Sequence, residues 1–461
     1  MKIASVVCEF NPFHNGHAYL LEKLREEHGA DYIIAIMSGN YVQRGEPAFF
    51  DKYKRAEMAL KGDGAKGHAD LVIELPTVFS CASAREFASA GVMTAVSTGI
   101  TDILGFGVED GAALGDIRQQ AKLLSLLEDN GSGNAEFKRL LRSGMSYPEA
   151  AAAYMAVADR TGGGSVNIYA SNNILAAEYL AALDKFDAAH RISPAVISRI
   201  GDGYASEKAE DSKYCSATAL RKYIEKMSAE SKKSAACLGD VMDHAALLCA
   251  DTACMPENSG DYPKTGYTVY SEDSCKNTAS NARLRDFIGS YVPAELSGMY
   301  EDCICSMTAN RLSGILSDRL LEAKYRGLDL TDYVDVSREI ADRLLKNADR
   351  PLSFEERIAA VKTRQYTYTR ISRALLHIAL GIRQSELEEA KQSGYIRYLR
   401  ILGLRRDATG LLKALKKNAS VPIISKTADG AEMLRMELYY SGIYNVLSGG
   451  RSEYERSPVI V

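Results

Sequence analysis

Ile3-Ala4-Ser5-Val6-Val7-Cys8-Glu9-Phe10-Asn11-Pro12-Phe13-His14-Asn15-Gly16-His17-Ala18-Tyr19-Leu20 is the stretch that decides how the rest of the chain is read. Ile3–Cys8 is an apolar, β-branched run that predicts a strand. Ala18, Leu21 and Leu24 then recur at helical spacing until Gly29 stops the pattern. Between strand and helix sits a polar junction with a His-x-Gly-His core. Gly16 has no side chain to keep the backbone from a bound group. His17 falls at the helix N-terminus, where free N–H groups and the helix dipole favour phosphate. Two imidazoles three positions apart at that point can both donate to an anion and stabilise charge building on a phosphoryl group.

Reading outward, strands and helices alternate. Tyr32–Met37, Leu71–Leu75, Ile103–Phe106 and Ala195–Ile200 read as further strands. Asp51 is placed to cap a helix running to Leu60, and Ser83-Ala84-Arg85-Glu86 has capping-box form. The alternation predicts an α/β fold with a doubly wound parallel sheet, whose ligands bind beyond the strand C-termini. The polar loops after Cys8, Met37 and Phe106 fall at that edge. Residues 255–282 are rich in Pro, Gly, Ser, Asp and Asn, and beyond Arg283 the pattern is mainly helical. The expected organisation is a nucleotide-binding domain over 1–230, a helix and linker over 231–282, and a mainly helical region over 283–461.

Composition narrows the classes. The 461 residues, 46% hydrophobic and 25% charged, suit a globular protein of about two or three domains. The start turns polar by Glu9 and no run reaches the ~18 apolar residues of a membrane span, so a cytoplasmic protein without membrane contact is expected. The nine cysteines form no CxxC pair, and structural zinc is not expected. The net charge of −4 argues at first against a nucleic-acid partner. Residues 362–417 reverse that argument: 13 Lys or Arg face four acids, a net of +9 that leaves −13 for the remainder. Arg364, Arg370, Arg373, Arg397, Arg400, Arg405 and Arg406 are interleaved there with Tyr366, Tyr368, Tyr395 and Tyr398. Guanidinium groups fork onto phosphates and tyrosines stack on unpaired bases, so this segment is the candidate RNA surface.

Two more stretches carry chemistry. Cys215-Ser216-Ala217-Thr218-Ala219-Leu220-Arg221 opens a helix whose hydroxyls and N-terminus suit phosphate, with Arg221 to neutralise it; alone it reads as an ordinary N-cap. Ser38-Gly39-Asn40 and Gln43-Arg44-Gly45-Glu46-Pro47 form a polar loop on the same sheet edge as His14. Arg44 there can meet a phosphate or a carboxylate through paired N–H donors. Lys52, Lys54 and Arg55 either extend that surface towards RNA or form a solvated helix face.

Together with His-x-Gly-His, the Ser216 motif resembles the two phosphate-binding halves of the nucleotidylyltransferase superfamily, which is related in fold to class I aminoacyl-tRNA synthetases. The likeness sharpens over Met37-Ser38-Gly39-Asn40-Tyr41-Val42-Gln43-Arg44-Gly45-Glu46-Pro47-Ala48 and Asp70-Leu71-Val72-Ile73-Glu74-Leu75-Pro76. It continues through Phe106-Gly107, Ser171-Asn172-Asn173-Ile174-Leu175, Ser198-Arg199-Ile200-Gly201 and Lys362-Thr363-Arg364-Gln365-Tyr366-Thr367. These segments resemble the bacterial tRNA(Met) cytidine acetate ligase family, over most of residues 1–225 and again over about 340–426.

The resemblance implies that ATP and acetate give acetyl-adenylate and pyrophosphate. The acetyl group then passes to the wobble cytidine in the anticodon of elongator tRNA(Met), giving N4-acetylcytidine without acetyl-CoA. It implies ATP binding by Val7 through Leu20, completed by Gly107, by Asn172 or Asn173, and by Arg199. His14, His17 and Arg44 would act catalytically, with Ser216, Thr218 and Arg221 over the pyrophosphate end. Mg2+ is expected to accompany ATP, with no dedicated metal cage. Two rivals stand beside this reading. One is a small-molecule nucleotidylyltransferase, which leaves the basic segment without a role; the other is a non-catalytic RNA-binding protein with a regulatory nucleotide site.

Overall fold

The computed structural model describes residues 1–109, 111–128, 132–143, 145, 150, 153–154, 171–200, 213–227, 279–300, 307–363 and 366–461. The expected linker therefore lies almost wholly outside the described residues. At the centre is an eight-stranded sheet. Its N-terminal strands are β1 (Ile3–Cys8), β2 (Tyr32–Ser38), β5 (Leu71–Leu75), β6 (Ile103–Val108) and β7 (Ser193–Ser198). A two-stranded hairpin, β3 (Tyr41–Val42) and β4 (Glu46–Pro47), lies outside that sheet and was not foreseen. The remaining strands are β8 (Leu399–Leu404), β9 (Ile423–Ile424) and β10 (Val459–Ile460).

The strand order is β10-β8-β5-β2-β1-β6-β7, with β9 on β8. The five N-terminal strands are mutually parallel. The chain runs from β1 outward through β2 to β5, then returns to lay β6 on the other side of β1. The order thus reverses at β1, and the crevice beyond its C-terminus is the binding position expected of such a sheet.

One expectation needs correction. The sheet is not wholly parallel, because β8 pairs antiparallel with β5, opposing Glu74 to Arg400 and Leu71 to Leu404. β8 comes from the region read as helical. Its stretch Leu399-Arg400-Ile401-Leu402 is apolar but for one arginine, a strand pattern that the net charge of the segment hides.

Both faces of the sheet are covered, which is why its strands read as nearly continuous apolar runs. On β2, Ile34 and Ile36 enter one core with the helices Ala84–Thr98, Ser171–Lys185 and Tyr368–Leu380. Ile33, Ala35 and Met37 enter the opposite core with the helices α1 (Asn15–Glu26) and α2 (Lys52–Lys61). The period-two alternation of the strand makes this division. Among the described residues no helix is long and apolar enough to cross a membrane.

Candidate active site

β1 ends at Cys8, and its extension reaches α1 through Phe10, whose φ of 45° is in the left-handed region. His14 is the N-cap of α1. Its Nδ1 accepts the Gly16 N–H at 3.1 Å, and the His17 Nδ1 accepts the His14 N–H at 3.3 Å. This is a capping box made by two imidazoles, with rings stacked at a centroid separation of 3.8 Å. The pairing fixes the tautomer: a nitrogen that accepts from a backbone N–H carries no proton, so a neutral ring holds its proton on Nε2. Burial keeps the rings neutral. The His14 pKa is pushed down to about 3 by burial, then by Arg199 and Arg221. His17 is lowered by burial, by His14 and by Arg199. Two Nε2–H donors therefore serve a single pocket, which both histidines line.

The pocket lies beyond the C-terminal ends of β1, β6 and β7. Val7, Cys8, Glu9, Phe10, Asn11, His14, Gly16, His17, Tyr19 and Leu20 line it, as expected for the first segment. Four members of that segment do not. Phe13 and Ala18 are buried in the core, Asn15 donates to the carbonyls of Lys213 and Ser290, and Pro12 is outside the lining. Gly107 lines the wall, where an added Cβ would lie 3.2 Å from the Arg199 side chain. Arg199 shares that wall, its N–H donating to the Val108 carbonyl at 2.9 Å.

Of the two asparagines, Asn172 faces the pocket. Asn173 is fully buried, accepting the Glu109 N–H at 2.9 Å and thereby fixing the helix Ser171–Lys185 on the strand end. From the second motif, Thr218 and Arg221 line the pocket. Ser216 is buried behind them, capping the helix over 217–227 by accepting the Ala219 N–H at 3.0 Å. Arg221 donates to the Asn11 carbonyl at 2.6 Å, which joins the two motifs across 210 residues.

Arg44 also reaches this pocket, beside Gln43 in the turn between β3 and β4. The turn is tied from three sides. The Gln43 N–H donates to Glu9 Oε1 at 2.9 Å, the Ser372 hydroxyl to the Gly45 carbonyl at 2.9 Å, and the Tyr41 hydroxyl to the Tyr440 carbonyl at 3.2 Å. Gly45 has a φ of 80°, and a Cβ there would run into the Arg373 backbone. Sequence reasoning missed the apolar side of the pocket: Phe87, Phe106, Leu175, Tyr179, Ile197, Ile200 and Tyr214. A usable signal existed in the helical spacing of Asn172, Leu175 and Tyr179, which puts all three on one face.

The basic segment is less uniform than its composition. Arg397 and Arg406 are exposed, Tyr366, Arg370, Arg373 and Arg405 are half-buried, and Arg364 lies outside the described residues. Arg370 sits over the Tyr366 ring at 5.1 Å, and Arg373 pairs with Asp335 at 2.8 Å. Arg400 is a correction: it is 3% exposed and paired with Glu74 at 3.1 Å and Glu453 at 2.7 Å, so it is an internal cation with no surface to offer RNA. Tyr395 and Tyr398 are likewise buried and cannot stack on a base. Lys52 and Arg55, read as a surface, are also buried. Lys52 pairs with Glu74 at 2.8 Å, while Arg55 donates to the carbonyls of Glu9, Ser38 and Gly39 and thus pins the loops around the pocket.

Direction along the sheet divides the remaining cations. β8 runs against β5, so its start, next to Arg397, is at the end where β5 finishes and the pocket opens. Arg405 and Arg406 follow the far end of β8, and Arg405 is paired there with Asp407 at 3.0 Å. The segment is not one patch.

The model of the HIGH nucleotidyl transferase family matches residues 1–254 and 257–457. The tRNA(Met) cytidine acetate ligase of Acetivibrio thermocellus is 32% identical over 434 residues, 93% of this chain and 89% of that protein. The protein of the same name from Lysinibacillus sphaericus is 30% identical, over 97% and 94% of the two chains. Among solved structures, apo TmcAL of Thermotoga maritima aligns over 100% of both chains with a TM-score of 0.78 and 23% identity. Its form bound with alpha-thio ATP aligns with a TM-score of 0.76, also at 23% identity, over 100% of this chain and 99% of that one.

Proposed function

The chain belongs to the tRNA(Met) cytidine acetate ligase family of HIGH nucleotidyl transferases, and from that premise we propose that it activates acetate with ATP and acetylates N4 of the wobble cytidine of elongator tRNA(Met). An acetate oxygen attacks the α-phosphorus of ATP, and the bond to the leaving pyrophosphate breaks. The N4 amine then attacks the acetyl carbonyl carbon, and AMP leaves. The observation that carries this reading is the pair of Nε2–H donors fixed by their own capping bonds at the N-terminus of α1. Such donors need no reorganisation as charge develops on the phosphoryl oxygens. Arg199 and Arg221 add positive charge to the same pocket, and Arg44 is placed to meet a phosphate or the acetate carboxylate. The apolar side, with Leu20, Ile197 and Ile200, suits the adenine ring.

Mg2+ would arrive on the nucleotide's own phosphates. Among the described residues no group of three or more His, Cys, Asp or Glu is placed to hold a metal. For the RNA, exposed Arg397 and the start of the helix Tyr368–Leu380, with Tyr366 and Arg370, support an approach from the pocket side.

Exchange of labelled pyrophosphate into ATP tests the first half-reaction. We expect exchange that depends on acetate and falls by about 10²–10³-fold in His17→Ala. Exchange indifferent to acetate would sink the proposal.

A further inference from the structure

We propose that Glu9 is the general base of acetyl transfer, taking the proton that the attacking cytidine amine must lose. The inference rests on the functional reading above, which supplies the amine but names no acceptor for its proton. As N4 bonds to the acetyl carbon, the bond from that carbon to the phosphate oxygen of AMP breaks. The N4–H proton passes to the Glu9 carboxylate and from there to water.

Elimination within the pocket selects the residue. His14 and His17 each spend Nδ1 on a backbone N–H, so their remaining nitrogens are donors with no lone pair to accept a proton. Arg44, Arg199 and Arg221 are cations. Tyrosine phenols carry their proton at neutral pH, and burial pushes the Cys8 thiol well up. Among the described residues that line the pocket, Glu9 is the one carboxylate.

Its position is also built. Glu9 follows β1 directly at the point where the strand order reverses. Its carbonyl accepts from Arg55 at 2.6 Å, and its Oε1 accepts the Gln43 N–H at 2.9 Å, so backbone and side chain are both fixed. The charged groups around it are Arg44 and Glu46 of the β3–β4 hairpin, Arg221 of the helix over 217–227 and Arg55 of α2. Burial outweighs Arg44, the Gln43 N–H and Arg221, with Glu46 adding to it, and the carboxyl stays above its ordinary 4.5. That direction favours a base that works near neutral pH.

The test compares the full-length wild-type enzyme with Glu9→Gln and Glu9→Asp, using ATP, labelled acetate and total tRNA. Two rates are read from about pH 5 to pH 9: acetate-dependent pyrophosphate exchange, and transfer of label to tRNA. In Glu9→Gln, transfer should slow by about 10²-fold more than exchange does and should lose its acidic limb. Glu9→Asp should keep a carboxylate and therefore an acidic limb. Transfer at the wild-type rate in Glu9→Gln overturns the assignment. So does a loss of exchange parallel to the loss of transfer, which marks a purely structural residue. Wild-type exchange that ignores acetate overturns the functional reading itself, whatever Glu9 does.

Discussion

At the residue scale, His14 and His17 are first of all caps, and their proposed role as donors follows from that. Each Nδ1 closes a backbone N–H of α1, and the same bonds that start the helix orient Nε2–H. The arrangement carries a cost in acid. An unfolded histidine titrates near 6.5, whereas burial holds folded His14 down to about 3. The unfolded chain therefore takes up a proton that the native protein refuses, and stability present above pH 6.5 is lost as the pH falls towards 3. By pH 5 the His14 contribution to that loss is about 2 kcal/mol. Replacing both imidazoles by asparagine, which also caps helices, removes the penalty. Thermal unfolding should then show the variant gaining on the wild type from about pH 6.5 to about pH 4. A stability difference that does not change with pH would contradict the buried, neutral assignment.

At the scale of elements, β8 joins the basic segment to the sheet. Arg400 on β8 and Glu74 on β5 are each the lone charge in an apolar strand, and they meet across the ladder with Lys52 of α2 and Glu453. A buried pair broken on one side leaves an uncompensated charge, so Arg400→Met should cost about 3–5 kcal/mol. Chemical denaturation would measure it. A stable Arg400→Met protein with a selective loss of tRNA affinity would restore Arg400 to the RNA surface. The segment also shows where sequence reading stops. β1, the His-x-Gly-His junction and the positions of the N-terminal strands were legible because each is encoded in one short window by period and capping. Charge counting over 362–417 was blind to place, since it weighed exposed Arg397 and internal Arg400 equally. The reciprocal lone charges in Leu71-Val72-Ile73-Glu74-Leu75 and Leu399-Arg400-Ile401-Leu402 were the available signal. Their pairing became visible only when the two strands were side by side.

At the scale of the whole molecule, the two halves of the sequence share one sheet. The His-x-Gly-His junction and the stretch holding Thr218 and Arg221 meet at the point where the strand order reverses, and the C-terminal half closes over the same edge. The Gly45 turn rests on the helix Tyr368–Leu380, and the Tyr41 hydroxyl bonds to the helix Arg435–Ser448. Arg44 is thus held in the proposed nucleotide pocket by elements of the half that carries the exposed cations. The proposed division of labour, adenylate chemistry at β1 and RNA alongside it, therefore requires no separate docking of two bodies. The apolar wall of the pocket was illegible in sequence because it is assembled from the ends of β6 and β7, the helix Ser171–Lys185 and Tyr214. No single window contains it. Incubation with ATP, labelled acetate and total tRNA, followed by digestion to nucleosides, tests the proposed function end to end. Label should appear in N4-acetylcytidine from the wobble position of elongator tRNA(Met), with AMP and pyrophosphate formed alongside; tRNA that stays unlabelled while ATP is consumed would overturn the proposal.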